Sequence, residues 1–70
     1  MKFIQYDDQN PVNLDNIVTF SKGKTENWYF INFLSSNKVS VQWNFLMQRE
    51  RDAVYDQVMI HADVMEVTLE

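Results

Sequence analysis

The segment from Trp28 to Leu34 is apolar on both faces that an extended strand presents. Alternate side chains of a strand point to opposite sides of a sheet. One side of this segment therefore carries Trp28, Phe30, Asn32 and Leu34, and the other carries Tyr29, Ile31 and Phe33. A strand that is apolar on both faces is normally covered on both faces.

The rest of the chain predicts further strands and one helix. Turn-forming residues separate the strand-like segments Met1–Tyr6, Ile17–Ser21, Trp28–Leu34 and Val39–Phe45. The predicted connections are a loop over residues 22–27, in which Gly23 is the natural place for a positive φ, and a four-residue turn over 35–38. From Gln48 the apolar residues recur every three or four positions, which predicts an amphipathic helix to about residue 62. Residues 65–70 alternate like a strand, which favours an extended tail, and a helix that continues through Met65 is the alternative for residues 64–70.

The 70 residues therefore predict a single α+β domain over residues 1–70. The predicted architecture is an antiparallel sheet of about four strands with one C-terminal helix packed on one face. One helix covers one face of a sheet, so a loop or another molecule must cover the other. The chain also has ten aromatic residues, more than one face of a small sheet usually needs.

Two apolar residues lie where the helix should begin. Leu46 and Met47 occupy positions where a capping Ser, Thr, Asp or Asn is typical, and loss of such a cap costs about 0.5–2 kcal/mol. A covering partner explains them better. The sequence therefore predicts a small non-enzymatic interaction module that forms a homo-oligomer. Its predicted contact surface is Tyr29, Ile31, Phe33, Leu46 and Met47, with Met65, Val67 and Leu69 as an extension.

Few residue sets in the chain are typical of catalysis or metal binding. The chain has no Cys, and its single histidine, His61, is interpreted as a structural or solvated residue. Asp7, Asp8 and Asp15 lack the alternating ligands and well-placed glycine of a calcium loop. We therefore predict no catalytic residue, no cofactor and no metal.

The charges are unevenly distributed along the chain, whose net charge is −4. Residues 52–70 contain five acids and no base: Asp52, Asp56, Asp63, Glu66 and Glu70. The plain interpretation is a solvated face, and the sharper one is an acidic surface for a basic protein partner. The alternative function is a single-stranded nucleic-acid binder that stacks bases on Trp28 and Trp43. The acidic balance argues against nucleic acid, since a groove that follows a phosphate backbone needs clustered Lys and Arg.

The location of the protein is also predicted from composition. The absence of Cys makes a reducing cytoplasm the default compartment. No apolar run approaches the ~18 residues that a membrane span needs, so no membrane association is expected.

Three short motifs carry a resemblance to a known group of proteins. They are Asn13–Ile17 before a strand, Trp43 with Phe45 at the end of a hairpin, and Arg51–Tyr55 in the helix. In these motifs, over about residues 13–58, the chain resembles small, acidic, mostly uncharacterised bacterial and phage proteins. The resemblance implies an antiparallel sheet with a C-terminal helix, no known chemistry, and an accessory role in a phage or mobile element. The chain departs from that group at Leu46–Arg49, where a Ser followed by acidic residues would cap the helix.

Overall fold

A computed structural model describes residues 2–65 and residue 67. Its elements, in chain order, are β1 (Phe3–Ile4), β2 (Val12–Asn13), a 3₁₀ turn (Leu14–Asn16), β3 (Ile17–Lys24), β4 (Tyr29–Ser35), β5 (Ser40–Phe45) and α1 (Gln48–His61). β3, β4 and β5 form an antiparallel sheet in that order, and β1 pairs with β2 in a separate antiparallel ribbon. The α+β class and the helix near the C-terminus are confirmed. The single four-stranded sheet is not, because the first strand pairs with residues 12–13 and not with the main sheet.

The helix and the ribbon lie on the same face of the three-stranded sheet. We call this the covered face. The Tyr6 ring packs on Phe45 with centroids 5.0 Å apart, and the Trp43 indole N–H donates to the Asn10 carbonyl at 2.7 Å. The buried core of the described residues is Val12, Ile31, Phe33, Trp43, Phe45 and Val58.

The turn between β4 and β5 sets the register of the sheet. It has three residues, Ser36 to Lys38, because Ser35 already pairs: its N–H donates to the Val39 carbonyl at 2.9 Å. Lys38 adopts φ 68°, the left-handed conformation typical of the last residue in a three-residue hairpin. The four-residue turn predicted from the sequence is therefore wrong by one residue. A one-residue shift moves every side chain of a strand to the opposite face relative to its partner.

That shift exchanges the two faces of β4. Tyr29, Ile31 and Phe33 lie opposite Phe45, Trp43 and Val41, so these six side chains share the covered face. Trp28 and Phe30 therefore do not share a face with Trp43 and Phe45. The odd-numbered residues of β4 are the core, and the even-numbered ones face away from the helix.

Gly23 also differs from its prediction. It lies within β3, paired with Phe30, and its φ is not positive. The predicted loop over 22–27 is therefore shorter, and the turn is held by Thr25, whose N–H donates to the Trp28 carbonyl at 2.8 Å.

The two ends of α1 explain its length. Met47 is the N-cap and makes no side-chain capping hydrogen bond, which confirms the uncapped start. At the other end Asp63 adopts φ 55°, and the N–H groups of Asp63 and Val64 donate to the carbonyls of Ile60 and Met59. This is a Schellman motif, in which Asp replaces the usual glycine. The helix therefore ends at His61 and does not continue through Met65. No helix among the described residues is long and apolar enough to span a membrane.

Candidate functional site

The face of the sheet that points away from α1 is the most distinctive surface of the molecule. We call it the open face. The pairing register places nine strand residues on it: Thr19, Ser21, Gly23, Phe30, Asn32, Leu34, Ser40, Gln42 and Asn44. None of the nine is charged, although 23% of the chain is. The open face therefore combines two large apolar side chains with uncharged polar groups, and it shares its lack of charge with the centre of protein interfaces.

Phe30 and Leu34 are the large apolar side chains of the open face. Both are half-buried. The Phe30 ring lies directly on Gly23, because a Cβ added to this glycine would stand 2.6 Å from the ring atom Cζ. The glycine therefore provides space for the aromatic ring rather than a turn, and the ring shields the main chain of β3.

An apolar corner, which we define as Trp28 and Leu46, continues the open face at one end. Trp28 is 40% exposed and Leu46 is 84% exposed. Together with Asn44 and Phe45 they line a shallow cavity of about 180 Å³. Met47 follows and is 44% exposed. Leu46 and Met47 of the predicted contact surface are thus exposed, and the contact itself stays a prediction.

The other three residues of the predicted contact surface lie on the covered face. Ile31 and Phe33 have no exposed surface, and Tyr29 is half-buried. Their prediction as an exposed contact surface is wrong because the register is shifted by one residue. The same shift hides the signal for Phe30 and Leu34, which are the apolar residues that the sheet leaves uncovered.

The two tryptophans of the alternative stacking site lie in different surroundings. Trp43 is 1% exposed and its indole N–H is bonded inside the molecule, so it offers no face to a base. Trp28 alone is accessible. Binders of single strands combine successive aromatic platforms with clustered cations, whereas the nine strand residues of the open face are uncharged.

The principal cluster of charged groups on the covered face surrounds Arg51. Arg51 is 7% exposed, and its guanidinium donates to the Gly23 carbonyl at 2.7 Å and lies 5.3 Å from the centre of the Tyr29 ring. It also donates to Asp52 at 2.8 and 3.0 Å, and Lys22 approaches the same carboxylate at 3.3 Å. The hydrogen bond from Arg51 is the largest cause that lowers the pKa of Asp52. These bonds fix the first turn of α1 to β3 and occupy one of the predicted acidic residues.

The remaining predicted residues are dispersed. Asp56 and Asp63 are exposed, and Met65 and Val67 are 87% and 89% exposed. Glu66, Leu69 and Glu70 lie outside the described residues. Across residues 2–65 and 67, no group of three His, Cys, Asp or Glu residues is placed to hold a metal ion.

A groove between β1 and α1 is a further concave site that the sequence does not reveal. Its volume is about 500 Å³, and its lining includes Phe3, Tyr6, Trp43 and Val54. The Phe3 side chain is 58% exposed at its rim. The groove depends on the pairing of β1 with β2. Each of these strands has two residues, which is too short for a recognisable pattern in the sequence.

No protein-family model, curated protein or solved structure matches this chain. The resemblance to small bacterial and phage proteins therefore stays a prediction.

Proposed function

We propose that this protein is a small non-enzymatic interaction module whose open face binds the open face of a second copy. The observation that carries the proposal is the complete absence of charge from nine adjacent strand positions that no helix or strand of residues 2–65 and 67 covers. Depletion of charged residues distinguishes the centre of an interface from the rest of a protein surface.

Charge favours a second copy as the occupant. The chain has a net charge of −4, so two copies repel each other if their acidic surfaces meet. An uncharged face avoids this repulsion and leaves no ion unpaired when it is buried. The side-chain amides of Asn32, Gln42 and Asn44 can donate and accept, so they can form hydrogen bonds with the amides of the partner's open face.

The size of the open face sets the expected affinity. Three strands spaced about 4.8 Å apart, with six to eight residues each, give a patch of roughly 14 by 20 Å. This patch of roughly 280 Å² is well below the about 800 Å² per partner that standard interfaces bury. The exposed apolar corner and Met47 enlarge it. We therefore expect a dimer that forms at micromolar protein concentration and dissociates on dilution.

The test is the solution mass of variants measured by sedimentation over a range of concentrations. Leu34→Asp and Leu46→Asp place a carboxylate on the open face and at its corner, where burial in a dimer leaves it unpaired and costs several kcal/mol. We expect both variants to lose the contact between open faces, so that their assembled mass is half that of the unmodified protein at the same concentration. The control is Ile60→Asp, since Ile60 is also an exposed aliphatic residue, 64% exposed on α1.

Two results would contradict the proposal. One is an unmodified protein that remains a monomer at high concentration. The other is a dimer that Ile60→Asp weakens as much as Leu34→Asp does, because that pattern reflects net charge and not the open face.

A further inference from the structure

The two edges of the three-stranded sheet are protected very differently. β3 forms one edge and carries Lys22 and Lys24, with an irregularity in pairing between Ile17 and Thr19. Lysines and bulges on an edge strand are the usual means of preventing another strand from pairing there. β5 forms the other edge and contains no charged residue.

A side chain closes one end of the β5 edge. The Gln9 amide donates to the Asn44 carbonyl and accepts from the Asn44 N–H, both at 2.7 Å. Gln9 thus replaces a neighbouring strand at that residue. Since main-chain groups of alternate residues point to the same edge of an antiparallel strand, those of Gln42 and Ser40 point outward beside Asn44. Within the described residues, no hydrogen bond to either of these outward pairs occurs.

We infer that the β5 edges of two copies pair antiparallel about a two-fold axis at Val41. In this register Ser40 of each copy lies opposite Gln42 of the other, and four main-chain hydrogen bonds form. A register centred on Gln42 is excluded while Gln9 is in place, because it needs the main-chain groups of Asn44. No like charges face each other, since β5 has none.

Pairing of the edges is independent of contact between open faces. The two-fold axis of edge pairing is perpendicular to the sheet, so both helices remain on one side and the open faces form one continuous surface. Face packing about a second axis then gives a tetramer with D₂ symmetry, a common closed assembly. Loss of either contact leaves a dimer held by the other.

Cysteine cross-linking tests the register, because the natural chain has no cysteine. In the proposed pairing the two Val41 residues form a non-hydrogen-bonded pair with Cα atoms about 4.5 Å apart, within the range that a disulfide spans. Two copies of Gln42 are diagonal neighbours about 7–8 Å apart, beyond that range. Val41→Cys should therefore form a disulfide dimer under mild oxidation at least tenfold faster than Gln42→Cys. Ile60→Cys measures the rate of random collision.

A second variant tests the same pairing by removing one of its main-chain hydrogen-bond donors. Gln42→Pro removes an outward N–H without removing a bond of the β4–β5 ladder, and proline is tolerated at an edge strand. Added to Val41→Cys, it should reduce cross-linking to the rate of Ile60→Cys, with an unchanged far-ultraviolet circular dichroism spectrum showing that the fold is kept. Cross-linking that persists in Leu34→Asp shows that the edge acts without the open face.

The inference is overturned if Val41→Cys, folded by the same spectrum, cross-links no faster than Ile60→Cys. Faster cross-linking of Gln42→Cys than of Val41→Cys overturns it as well, since the axis then lies at Gln42. Neither result bears on the open face, which the masses of the Leu34→Asp and Ile60→Asp proteins test separately.

Discussion

The two faces of the three-stranded sheet differ little in polarity on β4 and strongly on β5. β4 presents Ile31 and Phe33 to the covered face and Phe30 and Leu34 to the open face, so it is apolar on both sides. The side chains of β5 determine which of the two faces forms the core. It presents Val41, Trp43 and Phe45 to the helix, and Ser40, Gln42 and Asn44 to the other side. The core therefore forms where two adjacent strands are apolar together, and one two-sided strand does not define it.

The difference between the faces also concerns what covers each of them. On the covered face Arg51 fixes the helix to β3 through the Gly23 carbonyl. On the open face the Phe30 ring covers Gly23 itself. The same short stretch of β3 is thus shielded by a cation from one side and by an aromatic ring from the other.

The largest expected effect comes from placing the same charge on adjacent residues of β4. Phe33→Asp should unfold the protein, because loss of a buried ring costs about 3–5 kcal/mol, before the burial of a carboxylate is counted. A core in a chain this short rarely contributes more than about 3–5 kcal/mol in total. Leu34→Asp, one residue along, should remain folded with a loss of about 1 kcal/mol. Urea unfolding followed by circular dichroism measures both.

Equal destabilisation of Phe33→Asp and Leu34→Asp would contradict the difference between the covered face and the open face. Equal losses would mean that Leu34 is as much a part of the core as Phe33, and the open face would then be a second packed surface. A folded Phe33→Asp protein would place the core elsewhere.

The sequence predicts the elements of this fold better than it predicts their alignment. The alternation on β5 and the helical spacing after Gln48 both locate real elements, because each depends on local periodicity. The faces of β4 depend on whether the hairpin turn has three or four residues. Lys38 occupies the left-handed position of that turn, where glycine or asparagine is the usual signal. Asp63 likewise ends the helix without the expected glycine.

The candidate surface is subject to the same limit. Leu46 and Met47 could be predicted because the absence of a cap is visible in the sequence. Phe30 and Leu34 could not, since their assignment to a face requires the register. The role of Gln9 at the edge of β5 requires contact between residues 35 positions apart, for which a single sequence contains no signal.

A smaller effect is expected from loosening the helix on the covered face. Arg51→Ala removes charged hydrogen bonds to Gly23 and Asp52, and we expect a loss of about 2–3 kcal/mol. Arg49→Ala is the control, since Arg49 is exposed and its guanidinium lies 3.9 Å from the Met47 sulfur, away from Asp52 and Gly23. Chemical unfolding at neutral pH measures the difference between the two arginines.

The pH dependence of stability identifies the cause of that loss. The pKa of Asp52 is lowered in the folded protein, chiefly by Arg51. Its contribution is therefore present above the unfolded pKa of about 3.9 and is lost as pH falls through the lower folded pKa. Arg51→Ala should weaken this dependence at acid pH, whereas Arg49→Ala should not. An unchanged acid profile in Arg51→Ala would show that the loss comes from the hydrogen bond to Gly23 and the packing on Tyr29, and not from Asp52.

The smallest effect is expected at Met47, where stability and association should change in opposite directions. Met47 is the N-cap of α1 and Glu50 lies three residues later, so Met47→Ser completes the Ser-x-x-Glu pattern of a capping box. The gain in stability should be about 0.5–2 kcal/mol at dilute concentration. Met47→Ala removes the same apolar side chain without adding a cap, so it should lack the gain. If Met47 belongs to the contact surface, both variants should weaken the dimer in sedimentation. If Met47→Ser gains stability and dimerises as before, Met47 lies outside the dimer contact. The apolar extension of the open face is then limited to the apolar corner, Trp28 and Leu46.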